Sequence, residues 1–306
     1  LAQCANPFTE DVEPAMRWRL LPPLVAHAMG LRGHLPLAIP WIGVVTLVGA
    51  CLAWGEAWLR SRTSAMAFAV VVATTSAVIV PLAWAGMNDA WVWLGLLGIT
   101  LSGGRIGPAI ACLLCPWVDE RFIVGLLLAV WARSRLHPGS SFLREMLRHG
   151  AFLLPYAAIR GYPTLAHGDP TSGAFLANVL HEFPTVMLRA HLGWWMGLRA
   201  GWVLVAWSAV GAARQGRLPG ELALGCATVA VSTFLAHDLS RSIAVVVPLL
   251  ASGAVELARE RPERAASWLF GLAGLNLLLP AAHVVLADVD AIHPLPVELL
   301  RLLLFR

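Results

Sequence analysis

Residues 91–135 restrict the fold of this chain more than any other stretch, because they combine the apolarity of a membrane core with charged side chains. The tripeptide Gly-Gly-Arg at residues 103–105 interrupts the stretch, and the tripeptide Asp-Glu-Arg at residues 119–121 lies near its end. Each charge costs about 2.5 to 3.5 kcal/mol at the centre of a membrane helix. The fold must therefore place both tripeptides beside water or other polar protein groups.

The composition indicates a polytopic membrane protein. Hydrophobic residues make up 58% of the 306 residues and charged residues 13%, whereas charged residues make up about a quarter of a soluble domain. All 22 basic residues are arginine, which excludes the lysine Schiff bases of retinal and pyridoxal phosphate. The net charge of +4 is spread over short loops. This distribution indicates membrane orientation and not nucleic-acid binding.

Long apolar runs predict an all-α bundle of membrane-spanning helices. Residues 35–55 and 64–86 are the first two predicted spans, and the loop between them carries two arginines. By the positive-inside rule this loop is cytoplasmic, and the following loop, which holds Asp89, is external. Four further arginines between residues 133 and 148 mark a second cytoplasmic segment.

The interrupted stretch allows two topologies. In the first, residues 91–114 form one ordinary span and the tripeptide at 119–121 lies on the far side from Asp89. In the second, the chain turns back at residues 103–105, as a broken or re-entrant segment, so that Asp89 and 119–121 share a side. We prefer the second topology because it leaves the arginines of residues 133–148 in the cytoplasm. Its elements are half-membrane helices at residues 91–101 and 106–114, followed by a span at 117–131.

The rest of the chain alternates between the two sides, which gives about eight spans in one transmembrane domain of residues 1–306. Residues 1–33 are predicted to form an external or interfacial segment in front of the bundle of residues 35–306. A polar external loop is predicted at residues 161–182. The later spans are predicted at residues 142–160, 191–212, 221–236, 242–257 and 268–287.

This topology collects most acidic residues and histidines on the external side. Arginine binds phosphate with a bidentate fork, and a carboxylate can deprotonate a hydroxyl or hold a divalent metal ion, so the mixture suits an anionic group carried by a lipid. Structural roles are equally open: Asp119 would favour the dipole of the helix that follows it, and Asp238 or Ser240 would cap the next helix.

Several enzyme signatures are absent from the sequence. It contains no Walker loop, no glycine fingerprint for dinucleotides, no H-E-x-x-H and no G-x-S-x-G. These absences argue against ATP-driven transport, a zinc protease and a lipase-type hydrolase. His167 and Asp169 form half of a metal site, but no further ligands accompany them. We therefore assign no metal site, although a divalent metal ion remains a conceivable cofactor of the external acids.

Three segments resemble parts of bacterial membrane proteins of the GT-C glycosyltransferase type. Residues 17–27, RWRLLPPLVAH, precede a long span as in those proteins, and residues 116–121 and 236–248, the latter with Asp-x-x-Arg, are similar to their charged loops. The resemblance implies a transferase at the outer membrane face that takes a sugar from a polyprenyl-phosphate donor. It also implies a catalytic acid in the first external loop, after a first membrane helix. No such helix precedes residues 1–33 in this sequence, so Glu10, Asp11 and Glu13 are the residues that could stand in for the acid.

Our first hypothesis is accordingly a GT-C-like glycosyltransferase of the bacterial cytoplasmic membrane, with membrane lipids and a polyprenyl-phosphate sugar as partners. A noncatalytic integral subunit of a larger membrane complex is the alternative, because short loops suit packing among other subunits. A transporter is the third candidate, suggested by the glycine-interrupted segment. The candidate catalytic residues are Asp11, Glu10, Asp119 and Asp238, and the candidates for phosphate binding are Arg121, Arg241 and Arg105.

Overall fold

The computed structural model describes residues 2–9, 18–83, 87–167, 170–235, 238–285 and 288–293, with residues 297, 300 and 304. Most of these residues are helical. The helices are α1 Ala2–Ala5, α2 Leu21–Ala28, α3 Ala38–Leu59, α4 Arg62–Ala73, α5 Ser76–Ala83, α6 Asp89–Leu101, α7 Ile106–Leu114, α8 Arg121–Leu136, α9 Phe142–Gly150, α10 Leu154–His167, α11 Pro170–Leu198, α12 Trp202–Arg214, α13 Leu218–Leu235, α14 Leu239–Ser242, α15 Val247–Glu260 and α16 Ala265–Leu278. Strands β1 Ala281–Val285 and β2 Asp288–Ile292 follow as an antiparallel hairpin.

Contacts between distant residues define two ends of the helical bundle. At one end Asp89 meets Arg121 and Arg241, and we call it the aspartate end. At the other end Arg133 donates to the carbonyl of Ser102 over 2.7 Å, and we call it the arginine end. Helices α3, α6, α8, α12 and α15 run toward the arginine end, and α4, α7, α13 and α16 run back.

The axis of the bundle is the stretch Leu239–Glu260, which comprises α14, a 3₁₀ turn at Ile243–Val246 and α15. Residues 239–258 are buried without exception, because α6, α8, α12 and α13 surround them. A helix that is apolar on all sides needs such a position. Gly253 allows the closest approach, since a Cβ atom there would collide with the backbone carbonyl of Leu204 on α12.

Among the residues that the structure describes, three helical stretches are long and apolar enough to cross a membrane: Leu35–Leu59, Leu180–Arg214 and Leu239–Glu260. Large apolar side chains on the outer helices point away from the protein, which is where lipid tails would cover them. Both observations support an integral membrane protein and confirm the predicted helical class. The outward-facing residues include Trp41, Val45, Ile110, Leu188 and Leu275.

The chain does turn back at residues 102–105, and Asp89 and residues 119–121 therefore lie at the same end. Helix α7 returns beside α6, which brings the Cys115 thiol to 3.6 Å from the carbonyl of Trp91. The turn itself is exposed and lies at the arginine end, because Arg133 in the last turn of α8 contacts its carbonyls. The helices on either side of the turn are short, as predicted: α6 has 13 residues and α7 has 9, and neither is long enough to count as a membrane-crossing helix.

Two later elements differ from the sequence prediction. Residues 161–167 and 170–182, predicted as loop, belong to α10 and α11, and α11 continues through Pro184. The predicted span at residues 268–287 ends as a helix at Leu278. Pro280 explains this end, because a proline disfavours helical backbone in the residue before it. The apolar residues after Pro280 form β1 instead, with Ala281 paired to Ile292 and Val285 to Asp288.

The contact at Gly253 generates the first prediction. The Gly253→Ala variant should lose about 1 to 3 kcal/mol of stability, because the added methyl group meets backbone that cannot move without shifting α12. The matched control is Gly271→Ala in α16, where nothing lies within 4 Å of the new Cβ and alanine favours the helix. Thermal unfolding in detergent, followed by tryptophan fluorescence, measures both. Equal melting temperatures would contradict the packing of α12 on α15.

Candidate functional site

Five charged residues from four segments meet at the aspartate end, and we call them the aspartate–arginine cluster. They come from the start of α6, the loop before α8, the first residue of α8, and the loop and helix around α14. All five are largely buried, so their charges are compensated mainly by one another. The members are Asp89, Asp119, Arg121, Asp238 and Arg241.

Asp89 connects the two arginines of the cluster. Its Oδ1 accepts a hydrogen bond from Arg121 Nη2, and its Oδ2 accepts one from Arg241 Nη1 at 2.8 Å. The side chain is only 2% exposed. Because Asp89 opens α6, the positive end of the helix dipole also favours its negative charge.

Asp119 holds the guanidinium group of Arg121 from the loop before α8. Arg121 Nε donates to Oδ1 and Nη2 donates to Oδ2, each over 2.8 Å, and the backbone N–H of Arg121 donates to Oδ1 over 2.9 Å. Arg19 Nη1 lies 3.1 Å from Asp119 Oδ2. Burial alone would raise the pKa of Asp119, but Arg121 and Arg19 hold it well below its usual range. The carboxylate is therefore charged at any physiological pH.

Asp238 holds the guanidinium group of Arg241 and also caps the N-terminus of α14. Its Oδ1 accepts the backbone N–H of Arg241 over 3.2 Å, and its Oδ2 accepts from Arg241 Nε. His283 Nε2 on β1 lies 2.5 Å from the same Oδ2. Burial would raise the pKa of Asp238, but the hydrogen bond with His283 and the charge of Arg241 lower it to about 2.

The hairpin formed by β1 and β2 holds His283 against the cluster. The backbone N–H of Val284 donates to Ser240 Oγ over 3.1 Å, and Val285 forms an isolated bridge with Asp238. Sequence analysis did not select His283, because it lay within a predicted membrane span. Pro280 was the available signal that the helix stops before this residue.

The N-terminal segment covers the more exposed side of the cluster. Arg19 contacts Asp119 and Glu120, and the side chains of Arg19 and Glu120 are 27% and 37% exposed. The guanidinium carbon of Arg160 lies 5.0 Å from the ring centre of Trp18, in cation–π contact. Arg19 and Glu120 are thus the more exposed charged residues that contact the cluster.

The structure gathers four of the seven candidate site residues. Asp119, Arg121, Asp238 and Arg241 belong to the cluster. Arg105 does not, because the turn that contains it lies at the arginine end and exposes its side chain there. Its candidate role in phosphate binding beside Arg121 is corrected accordingly. Glu10 and Asp11 lie outside the described residues.

The cluster offers guanidinium donors to a ligand and no set of metal ligands. Within the described ranges, no group of three or more His, Cys, Asp or Glu side chains is arranged to hold a metal ion. Each aspartate of the cluster faces a guanidinium group instead. Arginine forks are the usual partners of carboxylate and phosphate oxygens.

Buried charges at the arginine end anchor α8. Arg135 pairs with Glu221 on α13 and lies 3.6 Å from Glu256 on α15. Arg133 pairs with Glu145 over 3.0 Å and caps the carbonyl end of α6. These groups join α8 to α6, α9, α13 and α15, so we assign them a structural role.

Comparison of the chain with protein-family models, with curated proteins and with solved structures finds no match. The arrangement of the residues themselves therefore carries the functional argument.

The lowered pKa values of Asp119 and Asp238 predict acid sensitivity. An unpaired aspartate has a pKa of about 3.9, so the unfolded chain binds more protons than the folded protein between about pH 4 and pH 2. The free energy of unfolding should be constant through these groups above about pH 5 and should fall as the pH decreases below about 4. Melting temperatures in detergent at a series of pH values measure this. In the Asp238→Asn variant the fall should be smaller; an unchanged profile would contradict the assignment.

Proposed function

We propose that the protein is a membrane glycosyltransferase of the GT-C kind that acts on a sugar linked to polyprenyl phosphate. The supporting observation is that one guanidinium nitrogen of each of two arginines converges on the same carboxylate at the aspartate end. Arg121 and Arg241 are 120 positions apart in the sequence, yet both donate to the Asp89 carboxylate. This is the arrangement that a phosphate group bridged by two arginines requires.

In this proposal the cluster residues divide into two roles. Arg121 and Arg241 bind the phosphate of the lipid-linked donor, and Ser242, whose Oγ lies 3.3 Å from Arg121 Nη1, is a further polar group beside them. Asp119 and Asp238 position the two arginines through the contacts described above. The resemblance assigns the base that activates the acceptor hydroxyl to Asp11 or Glu10.

The proposed membrane placement follows from the arginines. The arginine end carries exposed basic side chains on several loops, so the positive-inside rule places it in the cytoplasm and the aspartate end outside. About eight membrane passages, in a bacterial cytoplasmic membrane, belong to this proposal. The exposed residues include Arg60, Arg105, Arg144, Arg261 and Arg264.

One observation favours the alternative of a noncatalytic subunit. All three aspartates of the cluster are already paired with arginines inside the chain. A network of this kind can serve solely to join helices, as the pairs around Arg135 do. The transporter hypothesis loses the feature that suggested it, because the glycine pair at residues 103–104 lies in an exposed turn at the end of the bundle.

Sugar transfer tests the first function. We expect Arg241→Gln to lower transfer from labelled polyprenyl-phosphate hexoses and pentoses by about 100-fold, as the loss of one oxyanion donor does. Asp238→Asn should cause a smaller loss, because asparagine can still cap α14. The control is Arg259→Gln at the arginine end, where the side chain is 42% exposed and pairs with Glu256. Unchanged transfer in both cluster variants would refute the site.

If the wild-type protein transfers none of the labelled polyprenyl-phosphate sugars, co-purification tests the hypothesis of a noncatalytic subunit. A subunit requires partner proteins in a fixed ratio after mild solubilisation, whereas the transferase does not.

Cysteine labelling tests the membrane placement. In a background without Cys4 and Cys226, the His34→Cys and Glu120→Cys variants should react with an impermeant maleimide on intact cells. The Arg105→Cys and Glu263→Cys variants should react only after permeabilisation, because those exposed positions lie at the arginine end. Reaction of the Arg105→Cys variant from outside would contradict both the turn at residues 102–105 and the proposed orientation.

A further inference from the structure

Asp89 occupies the position between Arg121 and Arg241 where an anionic ligand would bind. Its two carboxylate oxygens are divided between the two guanidinium groups, one oxygen to each. A phosphate group bridged by two arginines presents its oxygens in the same way. The carboxylate and a phosphate therefore compete for the same donors.

The three aspartates of the cluster are not held equally. Asp119 also accepts the backbone N–H of Arg121, and Asp238 also accepts the backbone N–H of Arg241 and contacts His283. Both are thus fixed to their own loops. Asp89 contacts the cluster through its two arginine pairs, so rotation of its side chain would open the position without disturbing the other two aspartates.

The net charge of the cluster, counted together with Arg19 and Glu120, also favours movement of Asp89 when an anion binds. With histidine counted as neutral, Asp89, Asp119, Asp238 and Glu120 carry four negative charges, and Arg19, Arg121 and Arg241 carry three positive charges. The group as a whole has a net charge of −1 and opposes the entry of a further anion. Removing the Asp89 charge from the position makes the remaining six side chains neutral and lowers that opposition.

We propose that Asp89 is an internal competitor that closes the phosphate site until a phosphate-bearing lipid displaces it. The inference rests on the proposed function, since it names the same two arginines as the phosphate ligands. The displaced carboxylate would leave the two guanidinium groups paired with Asp119 and Asp238, which keep them in place.

The first test uses the Asp89→Asn variant in detergent with farnesyl phosphate as the probe. Asparagine keeps the shape and removes the competing charge, so the variant should melt at a lower temperature than the wild type. It should bind farnesyl phosphate about tenfold more tightly than the wild type does, a difference of about 1.4 kcal/mol in binding free energy. Binding should raise the melting temperature of the variant back toward that of the wild type. Farnesol serves as the uncharged control, and inorganic phosphate distinguishes a lipid phosphate from a free phosphate as the source.

The matched control variant is Glu221→Gln at the arginine end. Glu221 is also a buried carboxylate paired with an arginine, Arg135, but it does not bridge two arginine forks. Neither farnesyl phosphate nor inorganic phosphate should restore the stability of this variant.

A second measurement on the wild type avoids any dependence on the folding of the variant. Carbodiimide labelling followed by mass spectrometry reports the exposure of each carboxylate. Saturating farnesyl phosphate should increase the labelling of Asp89 at least severalfold and leave Asp238 unchanged.

The two proposals fail in different ways. If farnesyl phosphate binds neither the wild type nor the Asp89→Asn variant, the two arginines are not a phosphate site and the proposed function falls with this inference. If it binds both equally and the labelling of Asp89 does not change, the competitor role alone is overturned.

Discussion

The chain of buried ion pairs through Asp89 is the constraint on which the rest of the structure depends. Breaking a buried pair by removing one partner costs about 3 to 5 kcal/mol, because the remaining charge has no compensation. Asp89, Arg121 and Arg241 begin or precede α6, α8 and α15, three helices that are far apart in the sequence. Since the three charges must meet, these helices start at one end of the bundle and run in the same direction. The returning helices α7 and α13 then have to be antiparallel to them.

Elsewhere in the bundle, buried arginines donate hydrogen bonds to the carbonyl groups at the ends of helices. The last carbonyl groups of a helix have no partner within it, and where a helix end is buried other protein groups can satisfy them. Arg133 donates to the carbonyls of Ile99 and Ser102 at the end of α6. Arg199, which is buried, donates to the carbonyls of Asn276 and Leu279 at the end of α16. A chain whose basic residues are all arginine can use the planar fork to bind several carbonyls at once.

The return of the chain that brings Asp89 and residues 119–121 to one end could be predicted from the sequence, because the few arginines of an apolar chain indicate which segments stay in the cytoplasm. The arginines of residues 133–148 required the return at residues 103–105, and that return brought Asp89 to Arg121. Arg105 was grouped with Arg121 and Arg241 as a candidate for phosphate binding because of its charge, although it lies in the turn at the other end of the bundle. The hairpin and His283 were missed because a short apolar run has the same pattern in a strand and in a buried helix. Tertiary contact with Ser240 and Asp238 decided the outcome.

The aspartate–arginine cluster and the buried ion pairs at the arginine end differ in charge balance and in exposure. At the arginine end, the Arg135 side chain is fully buried, and the Glu221 carboxylate that it pairs with also accepts from Ser208 and Trp131. The aspartate end carries an excess acid and becomes more exposed toward Arg19 and Glu120. A network that only joined helices would gain nothing from either property, because uncompensated charge costs stability and exposure weakens ion pairs. The exposure is useful where an anionic group has to enter and leave, whereas the excess acid opposes a further anion as long as the Asp89 carboxylate stays in place. Because of the exposure we favour the transferase over the subunit.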